Sequence, residues 1–121
     1  MLEFNRTLTA YICPEVKTSE RFNEWISKFA KYAGDGFTAS EALGGWMGAD
    51  GNFVTEKIIR FTVWEPALDA VKGLLETLDL LRETEHQEAV SVEIDRKPYV
   101  CFSSSDIQSL IDKYTQDGES L

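Results

Sequence analysis

The sequence predicts an α+β fold, and three observations carry that prediction. Four stretches alternate apolar and polar residues at a period of two, the signature of half-buried strands. Two long segments and one short one carry apolar stripes at the helical period of 3.6. Between two of the alternating stretches lies Asp50-Gly51, the dipeptide that a tight hairpin turn prefers.

The first strand is read over residues 4–13, where Leu8, Ala10 and Ile12 alternate with Thr7, Thr9 and Tyr11. Pro14 ends it, because proline cannot donate to a central ladder. Thr18 or Ser19 caps the first helix. Phe22, Trp25, Ile26, Phe29 and Ala33 form its buried stripe, and Gly34 stops it with a left-handed residue. Residues 37–47 and 53–64 read as two strands joined at Asp50-Gly51. Pro66 suits the first turn of a second helix, where a missing N–H costs nothing. Leu68, Val71, Leu74, Leu75, Leu78 and Leu81 are its stripe, and the polar run Arg82 to Glu88 reads as a frayed tail. A fourth strand is expected over 89–102, with Pro98 marking an edge, bulge or break. Ser104 or Ser105 then caps a last short helix carrying Ile107, Leu110, Ile111 and Tyr114.

The order is β-α-β-β-α-β plus an extra helix, the split βαβ plan of ferredoxin-like domains. Four antiparallel strands in the order 4-1-3-2 would carry both long helices on one face. The whole chain of 121 residues is expected to be one such domain with a mobile end from about residue 116. A chain of this length buries roughly two-thirds of its unfolded surface and needs no staple.

Net charge is -9. That field repels phosphate backbones and anionic membrane surfaces, so neither nucleic acid nor membrane is expected as a partner. No apolar run approaches the roughly 20 residues of a bilayer span, and the first residues show no signal-peptide pattern, so a cytoplasmic location is expected. Cys13 and Cys101 are too few for a disulfide framework and have no zinc-type spacing. They read as small packed thiols, and no metal or cofactor is expected.

Side-chain parity divides each strand between two faces. One set is nearly all apolar and should lie under the helices: it runs through Leu8, Ala10, Ile12, Phe37, Ala39, Leu43, Ile59, Phe61, Val63, Val90, Val92, Ile94, Val100 and Phe102. The other set mixes Tyr11, Trp46, Trp64, Tyr99, hydroxyl residues, Cys13, Cys101, Glu93 and one cation, Arg60. Such a face has three readings: it packs on a second copy, it is covered by the last helix, or it binds a ligand. The expected interface residues are Tyr11, Trp64 and Tyr99. The expected ligand-binding residues are Arg60, Trp46, Trp64 and Tyr99, with guanidinium chemistry suited to a small anionic molecule. Glu93 is the alternative, purely structural partner for Arg60.

No catalytic constellation is legible. His86, the single histidine, lies in the polar stretch RETEHQEA with no nucleophile placed beside it. Gly44-Gly45-Trp46-Met47-Gly48 lacks the lysine of a phosphate loop and reads as a strand irregularity. Asp50-Gly51-Asn52 is only a fragment of a calcium loop. The carboxylates Glu56, Glu65, Asp69 and Glu93 could pair for acid–base work, but no partner is placed for them, and Glu65 and Asp69 are more simply explained as negative charge at a helix start.

The stretch DGFTASEALGGWMGADGNFVTEKIIRFTVW, followed by a helix and then VSVEID, resembles a family of uncharacterised small bacterial proteins, a domain of unknown function. The likeness spans roughly residues 35–102, and its specific part is the hairpin from Gly44-Gly45-Trp46 to Gly51. It implies a ferredoxin-like fold and supplies no catalytic residues. This sequence departs from the family in the acidic segment before the fourth strand and in the expected absence of a signal peptide. The function expected on these grounds is a non-enzymatic binding protein, self-associating through its open sheet face, of the kind a phage or plasmid uses to inhibit or sequester a protein or small molecule. The alternative is a dimeric α+β barrel enzyme acting on a small anionic molecule.

Overall fold

The computed structural model describes residues 1, 5–34 and 36–116. Along the chain run β1 (Thr7–Ile12), α1 (Ser19–Ala30), β2 (Thr38–Met47), β3 (Phe53–Trp64), α2 (Leu68–Thr84), β4 (Val90–Ile94), β5 (Lys97–Cys101) and α3 (Ser104–Thr115). The strands make one antiparallel sheet in the order β2-β3-β1-β4-β5. This is an α+β architecture with three helices. The tail expected to be mobile lies almost wholly outside the described residues.

The hairpin between β2 and β3 forms where Asp50-Gly51 places it, with Gly51 at φ 85°. Thr18 caps α1 by accepting the Arg21 amide at 3.1 Å, and Ser103 caps α3 by accepting the Asp106 amide at 3.2 Å. Phe22, Trp25, Phe29, Val71, Leu74, Leu75 and Leu78 are buried with Phe61, Val63, Val92 and Ile94 in one core. Ile26 packs against that core while staying half-buried.

Two expectations need correction. The fourth strand is a hairpin of two strands, turning at Asp95 (φ 52°) and Arg96 (φ 71°). Left-handed backbone at both turn positions matches the twist of antiparallel strands. Asp95 also accepts the Thr7 amide at 3.1 Å and the Arg6 guanidinium at 3.2 Å, which fixes a non-glycine residue there. A two-residue turn shifts parity by one. Val92 therefore faces Tyr99 and Val90 faces Cys101, so Tyr99 and Cys101 lie on the helix side. Val100 and Phe102, expected in the core, are exposed.

The second correction concerns β2, an edge strand that the helices do not reach. Phe37, expected under the helices, stacks on Phe61 at 4.6 Å but stays partly open, and Leu43 is exposed. β1 pairs with β3 only from Ile59 onward. The hairpin between β2 and β3 thus extends past the body as an arm, holding out Leu43, Trp46, Met47, Phe53 and Val54.

α3 joins the helical layer. Ile107, Leu110, Ile111 and Tyr114 are buried in the common core, and Ser104 at its start donates to Asp79 of α2 at 2.6 Å. The last helix therefore does not cover the other face of the sheet.

Candidate functional site

The uncovered sheet face holds a hollow of about 380 Å³ over β1 and its neighbours. Alternation puts Tyr11 and Cys13 from the β1 side, Glu56 and Ile58 from β3, and Ser91 from β4 on this face. Pro98 of β5 closes one side, and Gln87 and Ala89 enter from the segment before β4. Gly44 of β2 faces Glu56. Having no side chain there leaves the hollow open toward Glu56 and Ile58.

Charge is organised around the thiol and the phenol. Lys17 donates to Cys13 Sγ at 3.2 Å and pairs with Glu56 Oε2 at 3.3 Å. Burial pushes the Cys13 thiol up to about 11; Glu56 adds to that and Lys17 opposes it. Cys13 is thus a protonated wall of the hollow at neutral pH and a poor nucleophile. The Tyr11 hydroxyl donates to Glu93 Oε2 at 3.4 Å. Burial raises the phenol's pKa, Glu93 raises it further, and Arg60 lowers it. Thr9 and Thr62 share a hydrogen bond of 2.8 Å beside this pair.

The residues expected at the site are dispersed. Arg60 pairs in register with Tyr11 on one side and Ser40 on the other, and its side chain is exposed on the same face without lining the hollow. Among the described residues it makes no ion pair, and Glu93, its candidate partner, faces Tyr11 instead. Trp46 shares the face but lies six residues along β2 from Ser40, about 20 Å away at strand rise. Trp64, opposite Thr7, lies about 13 Å along β3 from Arg60 by the same rise. Tyr99 is on the other side of the sheet, its ring edge-on to Tyr114 with centroids 6.0 Å apart. The hollow's Cys13–Lys17–Glu56 group was missed because nothing in the sequence links a loop lysine to a carboxylate two elements later. Ser91 was legible only as an alternating residue of the fourth strand, and Glu56 only as one of four carboxylates with no placed partner. Among the described residues no cluster of three metal-ligating side chains forms, and no helix is long and apolar enough to cross a membrane.

The fold and this face define a small α+β protein with an open, polar-rimmed sheet surface. No protein-family model and no curated protein matches the chain. Among solved structures, it is similar to a phage SAM lyase in complex with S-methyl-5'-thioadenosine, at 16% identity and a TM-score of 0.58, over 86% of this chain and 95% of that one. The apo state of a phage SAM lyase gives 20% identity and a TM-score of 0.58, over 85% and 96%. A Bacillus cereus protein related to NIF3 gives 13% identity and a TM-score of 0.50, over 78% of this chain and 25% of that one.

The phage likeness overturns the expectation of a non-enzymatic binding protein. The fold is shared over nearly the whole of an enzyme that handles a small molecule, and the enzyme alternative fits that finding better.

Proposed function

We propose that this protein is an enzyme acting on a small molecule at the open sheet face, and that the molecule is SAM or a close sulfonium relative. The observation that carries this reading is the fold shared with phage SAM lyase over 85–86% of this chain and 95–96% of the other. The ferredoxin-like plait extended by a fifth strand is part of the same reading.

The chemistry of the face suits such a substrate. A sulfonium amino acid carries positive charge at sulfur and nitrogen and negative charge at its carboxylate. Glu93 and Glu56 offer negative charge to the first, and the Tyr11 ring offers a π face. Arg60 offers a two-pronged donor to the carboxylate. In a lyase reaction the carbon–sulfur bond breaks with its electron pair going to sulfur, which becomes a neutral thioether. The remaining fragment either loses a proton or closes through its own carboxylate.

The test is direct. Incubating the purified protein with SAM and following S-methyl-5'-thioadenosine by mass spectrometry should show its release. Glu93→Gln should lower the rate on the order of a hundredfold, the scale of a lost transition-state contact, and Tyr11→Leu, which removes the π face, on the order of tenfold. No release from the wild type, together with no thermal shift by S-methyl-5'-thioadenosine, overturns the reading.

We also infer that copies of the chain associate through the exposed arm and the open face. Trp46, Met47 and Phe53 on the arm, and Trp64 on the face, are large exposed apolar side chains, a pattern that marks contacts. Tyr11 sits on the same face, whereas Tyr99 belongs to the helical side.

A further inference from the structure

Glu85 lies outside the hollow, yet two of the hollow's walls depend on it. It is only 3% exposed, directly after α2. Its Oε1 accepts the Glu15 amide at 2.8 Å. Its Oε2 accepts the Trp25 indole N–H at 3.2 Å and pairs with the Arg21 guanidinium. Glu15 belongs to the loop between β1 and α1, and that loop carries Lys17 to its contacts with Glu56 and Cys13. Just downstream, His86 takes a left-handed turn (φ 54°), and Gln87 and Ala89 then line the hollow.

We propose that Glu85 is a positioning residue for the hollow: by holding the Glu15 amide against the end of α2, it fixes the loop that lays Lys17 on Glu56 and Cys13. Its consequence for turnover rests on the reading of the hollow as the small-molecule site. The placement itself does not.

The physical argument is one of unsatisfied donors. The carboxylate gathers three donors from two elements: the Glu15 N–H from the loop, and the Trp25 N–H and Arg21 from α1. Glutamine has the same size but presents two N–H groups of its own, so donors would face donors. Buried donors without an acceptor are costly, and the cheapest relief is for the exposed loop to move. Glu15 and Val16 are exposed and Pro14 is buried, so the loop swings about a fixed start. Lys17 leaves with it, and the half-buried Cys13 thiol meets solvent.

The experiment reads that thiol. The intact protein is treated with N-ethylmaleimide, and modification of the Cys13 peptide is followed by mass spectrometry, separately from Cys101. Glu85→Gln should speed Cys13 modification on the order of tenfold, as local opening does. Ile111→Ala, which destabilises the core far from the loop, should leave the Cys13 rate unchanged. An unchanged rate in Glu85→Gln, or an equal acceleration in Ile111→Ala, overturns the proposal. None of these outcomes depends on SAM turnover, so the failure of one reading is distinguishable from the failure of the other.

Discussion

Glu85 sits at residue scale where the sequence suggested a frayed tail, and the surroundings of its carboxylate explain why the chain stays ordered there. Burial alone would raise its pKa. Arg21, the Glu15 amide and the Trp25 indole outweigh burial and hold the carboxyl below its ordinary range. A group depressed on folding binds protons more readily in the unfolded chain. Its stabilisation is therefore complete above the ordinary glutamate value of about 4.3 and is lost as pH falls below that, through the folded value. The Tm of the wild type should fall more steeply below that pH than the Tm of Glu85→Gln. Parallel Tm-against-pH curves for the two proteins would show that Glu85 contributes no such linkage. Gly73 is a second residue whose role is local. A Cβ built there meets the Tyr32 ring at 2.3 Å, so the ring lies directly on the helix backbone. Gly73→Ala should destabilise by about 1–3 kcal/mol through overpacking, in spite of alanine's better helix propensity. Denaturant unfolding measures this, and a more stable variant would show that Tyr32 moves aside freely.

At the scale of elements, the hairpin of β4 and β5 decides which side chains face the hollow. Its turn is short and left-handed at both positions, and Asp95 is held there by Arg6 and the Thr7 amide. Arg96 has the larger positive φ and is exposed. A left-handed backbone strains a residue with a Cβ and is free for glycine. Arg96→Gly should therefore raise stability by about 0.5–1 kcal/mol. Differential scanning calorimetry checks the sign, and a lower Tm would mean that the Arg96 side chain contributes more than the backbone strain it imposes. The companion hairpin of β2 and β3 behaves differently. Its turn was legible from Asp50-Gly51 alone, but its sequence does not say that the outer half runs past β1 with neither face covered.

For the whole molecule, the uncovered sheet face and the arm set the expectation for assembly. Trp64→Glu and Phe53→Glu place charge where apolar contact is inferred, and an unpaired charge in an interface is costly. Sedimentation velocity at micromolar concentration should show an oligomer for the wild type and smaller species for both variants. A monomeric wild type would remove the assembly reading while leaving the SAM experiment untouched. The net charge of -9 sets a whole-molecule condition too. Contacts between copies must be mainly apolar, and adding salt should favour them by screening repulsion.

What the sequence determined by itself were the local periodicities. Leu8, Ala10 and Ile12 against Phe61 and Val63, and Phe22, Trp25 and Phe29 against Leu74, Leu75 and Leu78, follow from spacing alone. Helical and strand periods decide which side chains share a face wherever the backbone is regular. Asp50-Gly51 and Thr18 marked a turn and a cap because their chemistry is local. The tertiary structure alone decided the rest. A two-residue turn at Asp95-Arg96 moved Tyr99 and Cys101 to the helix side and turned Val100 and Phe102 outward. No periodicity announces a turn made of two non-glycine residues held by partners as distant in sequence as Arg6 and Thr7. The same holds for the hollow: Tyr11, Cys13, Glu56 and Ser91 come from three strands, and Lys17 and Glu85 act through a loop and a helix end. Their proximity is set by strand order and register, which arise from long-range pairing that no window of sequence contains.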